Sequence, residues 1–181
     1  MQIATLLPYK EDYSHNLSGA VSIHVSNLYK FSKYNNCITI WGNTNSKKYL
    51  SKNYKNISIN KKFLLSNNKQ YLTKFIELQK NKDPDIIEIH NRPNYVKFID
   101  KLESKIVLYF HNDPLDMSGS KSVNDRMNLL NKVDKIIFNS EWSKKRFINN
   151  LDKIYHKSNK LIVIYQSTNK VKINFKKKEK I

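Results

Sequence analysis

The sequence predicts an α/β fold: an open, mostly parallel sheet with helices on both faces. Short runs rich in Ile and Val recur along the 181 residues, and amphipathic segments separate them. Most runs are apolar throughout, as strands covered on two faces require. Strand and helix in alternation favour like-directed strands joined by crossover helices. A chain of this length suits one domain with a single core.

Strands are expected at 3–7, 37–41, 57–59, 86–89, 106–110, 135–138 and 161–165. Ala20, Val21, Val25, Leu28 and Phe31 form the apolar face of a first helix. Leu72, Phe75, Ile76 and Gln79 mark a second. Tyr95, Phe98, Ile99 and Leu102 recur at i, i+3, i+4 and i+7 and predict a third, with Pro93 in its first turn. Val123, Met127 and Leu130 mark a fourth. Ser140 stands as the N-cap of a fifth, which carries Trp142, Phe147, Ile148 and Leu151. Residues 43–62 are polar, lysine-rich and short of apolar anchors. Residues 171–181 read as a lysine-rich linker feeding a further element.

Charge is the loudest compositional feature, at +18, yet only Arg92, Arg126 and Arg146 among 33 basic residues are arginines. A phosphate-reading protein would use more Arg, whose planar fork matches phosphate oxygens in pairs. The lysine excess fits either an AT-rich coding bias or an anionic partner such as membrane lipid, charged saccharide or nucleic acid. One cysteine, Cys37, excludes an internal disulfide and a cysteine metal cluster, and its apolar neighbours suggest a small buried hydrophobe. No apolar run approaches the roughly 20 residues of a membrane span. The first apolar stretch ends at Lys10, too soon for a secretory signal. A soluble, cytoplasmic protein is expected, with lysines between Lys47 and Lys74 available to the inner face of an anionic membrane.

Ligands of open parallel sheets bind at the carboxyl ends of the strands. Polar residues gather at those ends: His90-Asn91-Arg92, His111-Asn112-Asp113, Asn139-Ser140-Glu141 and Gln166-Ser167-Thr168. Gly19 opens the first helix, where backbone can approach a ligand and the helix terminus favours an anion. A glycine needed only for the turn is the plainer account. With three glycines in the chain, no dinucleotide fingerprint or phosphate loop can be written. His111 can donate or accept at a sugar hydroxyl, with Asp113 beside it as acceptor; a histidine that merely closes the strand is the alternative. His90 and Arg92 carry the same ambiguity. His24, on the apolar face of the first helix, reads as a packed histidine. Scattered His without paired carboxylates gives no metal spacing, and no Gly-x-Ser-x-Gly elbow exists for a catalytic triad.

The segment "LSGAVSIHVSNLYKFSK" resembles the Gly-Gly-x-x-x-His-Val-x-x-Leu opening helix of glycosyltransferase family 4. "DIIEIHNRPNYV", "IVLYFHND", "VDKIIFNSEWSKKRF" and "KLIVIYQSTN" follow in the order that family uses. The resemblance implies a Rossmann-like domain over 1–170, the N-terminal half of a GT-B fold. In that reading 171–181 leads to a C-terminal donor-binding domain absent from this chain. It implies a retaining transferase that moves a sugar from a nucleotide-diphosphate donor, a co-substrate, to a saccharide or lipid-linked acceptor in cell-envelope polysaccharide or lipopolysaccharide synthesis. No cofactor and no metal are implied. By position Ser18 and Gly19 would meet the donor diphosphate, and His111 and Asp113 would serve catalysis. His90, Asn91, Arg92, Ser140 and Glu141 would line the acceptor side. Ser18 replaces the first glycine of the family's pair, and Gln166-Ser167 replaces its Asn-Gly. Two other classes stay open: a non-catalytic saccharide- or partner-binding module of this fold, and a basic nucleic-acid-binding protein. The latter lacks a helix-turn-helix, zinc module or aromatic strand signature, so no nucleic acid is expected.

Overall fold

A computed structural model describes residues 1–59 and 66–166. Lys61, Lys62, Ser167, Thr168 and the linker expected over 171–181 lie outside the described residues. Seven strands form one sheet in the order β3-β2-β1-β4-β5-β6-β7: β1 Ile3–Leu6, β2 Ile38–Gly42, β3 Tyr54–Asn56, β4 Ile86–His90, β5 Lys105–Phe110, β6 Lys135–Phe138 and β7 Leu161–Val163. Every pairing is parallel. The helices are α1 Ala20–Phe31, α2 Asn67–Lys80, α3 Val96–Ile99, α4 Val123–Lys132, α5 Glu141–Ile148 and α6 Lys153–His156. The α/β class and the parallel sheet are as the sequence predicts. Strand order reverses between β1 and β4, which opens a crevice at the carboxyl ends of those two strands.

The two faces are covered unequally. Val21 and Val25 of α1 pack with Leu7, Tyr13, Ile40 and Tyr54 in one apolar cluster. The buried side chains of α2, α3, α4 and α5 join the other, against Leu6, Ile87, Ile89, Leu108, Phe110 and Phe138. Phe110, Phe138 and Phe147 form its stacked centre, with ring centroids 5.4–5.7 Å apart. On β5 burial alternates strictly, with Ile106, Leu108 and Phe110 buried and Val107 and Tyr109 only half-buried. Uniformly apolar strands led to an expectation of cover on both sides. Among the described residues, β4 and β5 are instead sealed on one face and lie partly open on the α1 side.

Several elements differ in place from their apolar signals. The third strand lies at Tyr54–Asn56, not 57–59; Ile57 follows it, donates to the Gly42 carbonyl at 2.7 Å and is buried as core. The third helix is a 3-10 turn at Pro93–Tyr95 running into the four-residue α3. Its i, i+3, i+4 pattern is satisfied by one turn that buries Tyr95, Val96 and Ile99. Cys37 sits half-exposed in a 3-10 turn before β2, not in the core. Leu28 and Phe31 were expected on the buried face of α1, yet they are 41% and 66% exposed. Trp142 on α5 is 58% exposed, and its ring lies under the Arg146 guanidinium. Ser140 does cap α5, accepting from Ser143 N at 3.1 Å.

Gly119 shows where the backbone tolerates no side chain. Its φ is +95°, and a Cβ there would lie 2.6 Å from the Asn94 backbone nitrogen. Gly119→Ala therefore meets both an unfavourable left-handed conformation and a clash with main chain. The expected cost exceeds about 1 kcal/mol, read as a lowered urea midpoint; an unchanged midpoint would show that this loop shifts freely.

Candidate functional site

His111 leaves the end of β5 and becomes the hub of the rim. Its ring Nε2 is 3.0 Å from Nδ1 of His90, the last residue of β4. Its Nδ1 receives the Gln166 side-chain nitrogen at 2.9 Å, from the chain after β7. Its backbone N–H donates to Asn91 Oδ1 at 3.2 Å, and its carbonyl accepts from Asn139 Nδ2 at 2.9 Å, after β6. From the other side the His24 ring of α1 meets it edge-on, with centroids 5.1 Å apart. Parallel strands deliver His90, Asn91, His111, Asn139 and Gln166 to one end of the sheet, because each follows or closes the carboxyl end of its own strand, and α1 adds His24.

Local conformation reinforces the arrangement. Asn91 adopts φ of +54°, a left-handed setting that asparagine tolerates better than most residues. It turns the chain out of β4 and aims its amide at His111. Arg92 then folds back, its Nη1 donating to the Asn91 carbonyl at 2.8 Å. Tyr109 stacks on His90 at 4.5 Å with rings 12° apart. Glu88, two residues earlier on the same strand face, accepts from Thr5 Oγ1 at 2.7 Å and lies 4.0 Å from His90 Nε2.

Electrostatics follow from burial. Burial, with the repulsion that a proton on the neighbouring His90 or His24 ring would exert, pushes the His111 imidazole down to about 2, so it stays neutral at physiological pH. Burial and His90 lower His24 in the same direction. Burial raises Glu88, but the His90 ring 4.0 Å away and the Thr5 hydroxyl outweigh it and leave the carboxyl below its usual value. Burial and the Glu88 charge raise Tyr109, which stays a phenol.

The remaining predicted positions are placed as follows. Asp113 caps the 3-10 turn Pro114–Asp116 through Leu115 N and pairs with Arg146, whose Nε and Nη2 both reach Oδ2 at 2.9 Å. Burial raises its carboxyl, and Arg146 and the Leu115 N–H bring it lower overall. Both of its oxygens thus serve the loop and α5; neither reaches His111. Ser140 caps α5 and Glu141 is exposed in that helix's first turn. Gly19 is the N-cap of α1, but an acid from the preceding loop has arrived first. Glu11 Oε1 accepts from Ser22 N at 3.1 Å and stands 2.6 Å from where a Gly19 Cβ would be. Ser18 lies just before it, its N–H on the Ser14 carbonyl. The α1 terminus, expected to face a diphosphate, holds the chain's own carboxylate.

Glu88 and Glu11 are participants that sequence reasoning did not select, whereas Gln166 was read at the rim and His24 as a packed histidine. A lone acid inside an apolar strand, two positions before a histidine, was the available signal for Glu88. Beside His90 a groove of about 540 Å³ runs along the open sheet face, bounded by Thr5, Leu28, Phe31, Glu88, Tyr109 and Tyr165. Among the described residues no group of three or more His, Cys, Asp or Glu could hold a metal ion, and no helix is long and apolar enough to cross a membrane.

No protein-family model matches the chain. No curated protein matches it by sequence. Its architecture has clear counterparts among solved structures. Anabaena HepE in complex with UDP-glucose superposes with a TM-score of 0.62 at 13% identity, over 93% of this chain and 44% of that one. HepE with UDP gives 0.61 at 15% identity, over 93% and 44%. A UDP-N-acetylglucosamine 2-epimerase from Rickettsia bellii gives 0.54 at 8% identity, over 92% and 45%. The class so defined is a fold: an open, all-parallel, Rossmann-like α/β sheet that corresponds to somewhat less than half of each of those chains. The chain spans less than half the length of each of these proteins.

Proposed function

We propose that this chain is the acceptor-side half of a retaining glycosyltransferase that draws its sugar from a nucleoside diphosphate. One observation carries the reading: a neutral, fully hydrogen-bonded histidine hub stands at the crevice where strand order reverses, in a fold shared with one half of proteins solved with UDP-glucose. Histidine rings, asparagine amides and an arginine offer the directional donors and acceptors that sugar hydroxyls require. In this proposal His90, Asn91, Arg92, Ser140 and Glu141 face a saccharide or lipid-linked acceptor, and His111 meets the transferring sugar. Asp113 supports the rim through Arg146. The donor diphosphate lies over Ser18 and Gly19, and a second, donor-gripping half completes the cleft. Cell-envelope polysaccharide or lipopolysaccharide synthesis at an anionic membrane face is the setting proposed, and the enzyme needs no metal or other cofactor.

A non-catalytic saccharide-binding module has one observation in its favour, the Glu11 carboxylate at the start of α1. An incoming diphosphate must displace it or be repelled. Titration of the chain and its Glu11→Gln variant with UDP-glucose tests the choice. Removing one like charge at near contact should tighten binding by roughly tenfold, about 1.4 kcal/mol. Equal affinity in both proteins, with saccharide alone perturbing the His90 and His111 resonances, favours the module. Failure of both ligands to perturb those resonances overturns both readings.

A further inference from the structure

Glu88 and His90 lie two positions apart on β4, so both side chains leave the same face of the sheet. Thr5, the register partner of Glu88 on β1, donates to Oε2 at 2.7 Å, and that oxygen is 4.0 Å from His90 Nε2. At the other end of the row, the Gln166 side-chain nitrogen is 2.9 Å from His111 Nδ1. An amide nitrogen only donates, so His111 Nδ1 accepts. The neutral His111 ring then carries its proton on Nε2, and that proton points at His90 Nδ1, 3.0 Å away. His90 consequently holds its own proton on Nε2, toward Glu88. Every donor in the row then faces an acceptor: His111 Nε2 and Gln166 within hydrogen-bond reach, and His90 Nε2 toward the Glu88 carboxylate across 4.0 Å. The reverse order would set the His90 Nε2 lone pair against the carboxylate in a poorly solvated site, a repulsive arrangement.

We propose that Glu88 is a positioning residue. Through His90 it fixes His111 as the Nε2–H tautomer, leaving Nδ1 as an acceptor for a ligand hydroxyl at the rim. The hydroxyl takes the place of the Gln166 amide. For the identity of that ligand the inference rests on the sugar-transfer reading; the order of protons does not. Tyr109, stacked on His90, and His24, edge-on to His111, are the other titratable rings against the pair. They hold the ring planes and leave the row's polar end contacts to Glu88 and Gln166.

Side-chain ¹⁵N correlation spectra of the full chain report which imidazole nitrogen bears the proton. In the wild type both His90 and His111 should be single Nε2–H tautomers. Glu88→Leu removes the terminal acceptor and should give mixed tautomers at both rings, while Glu88→Gln, which keeps an acceptor oxygen, should restore the wild-type pattern. A role confined to packing would not separate the two variants in that way. Gln166→Leu should leave the tautomers unchanged, because the order is set from the Glu88 end. Nδ1–H on His111 in the wild type overturns the inference whether or not any variant folds. So does an unaltered pattern in Glu88→Leu, or a switch in Gln166→Leu. Tautomers as expected in a chain that binds no sugar nucleotide support the Glu88 role and count against the sugar-transfer reading alone.

Discussion

Replacing Arg126 by alanine should destabilise the protein by about 3 kcal/mol or more, the scale of losing several hydrogen bonds to one buried charge. The side chain is 2% exposed, and among the described residues no carboxylate forms an ion pair with it. Three backbone carbonyls hold its guanidinium instead: Ser120 and Lys121 on Nη1 at 3.2 and 2.8 Å, and Asn149 on Nη2 at 2.7 Å. Burial alone pulls its pKa below the usual arginine value, against a smaller effect of Asp125. The fork therefore ties the loop after β5 to the chain leaving α5, and truncation would strand three carbonyls away from water. For a chain of this size the loss corresponds to a drop of roughly 6–12 °C in melting temperature. Arg126→Lys should recover only part of it, since an ammonium cannot match the fork. A loss under about 1 kcal/mol for the alanine variant would show that water reaches those carbonyls.

Acid should weaken the fold from the histidine range downward, and His111 should account for much of the effect. Its pKa in the folded protein, about 2, lies below the ordinary 6.5. Between those values the unfolded chain binds the additional proton, so stability is complete above about 6.5 and declines as pH falls. One such group gives a slope approaching about 1.4 kcal/mol per pH unit. His24 is shifted in the same direction and adds to it. Glu88, also lowered, contributes only below its ordinary 4.5. Urea unfolding from pH 6.5 to 5 isolates the histidines, and His111→Gln should be visibly flatter than wild type across that window. Identical slopes in the two proteins would mean that the folded rim accepts protons at His111 freely.

The parallel sheet was legible because its strands are Ile-Val runs at helix-length intervals, and the rim was legible because polar residues end four of those runs. Position within the sheet was less so. Ile57 and Ile59 looked like a strand, but apolar character reports burial, and Ile57 is buried beside β3 rather than in it. The same ambiguity misplaced Leu28 and Phe31: helical periodicity gave their side of α1, yet the sheet beneath that end of the helix is a groove. Glu88 meets Thr5 across 83 positions and Gln166 meets His111 across 55, and Glu11 reaches the start of α1 only through loop geometry. Motif spacing does not encode such long-range polar pairings; they appear once the strands are side by side. Asp113 shows the converse, a residue two positions from His111 in sequence that turns away to hold Arg146.

The strand order also constrains how the polypeptide acquires its shape. β1 lies inside the sheet, and its partner β4 is 83 positions further along, with Ile3 set against Ile86. Local hairpins are unavailable to an all-parallel ladder, so the central seam closes only after a long stretch of backbone has been drawn in. Such non-local topology slows folding. During synthesis the first strand can recruit β2 early but must keep its other edge unpaired until β4 emerges. Until then that unpaired edge is open to pairing with other chains.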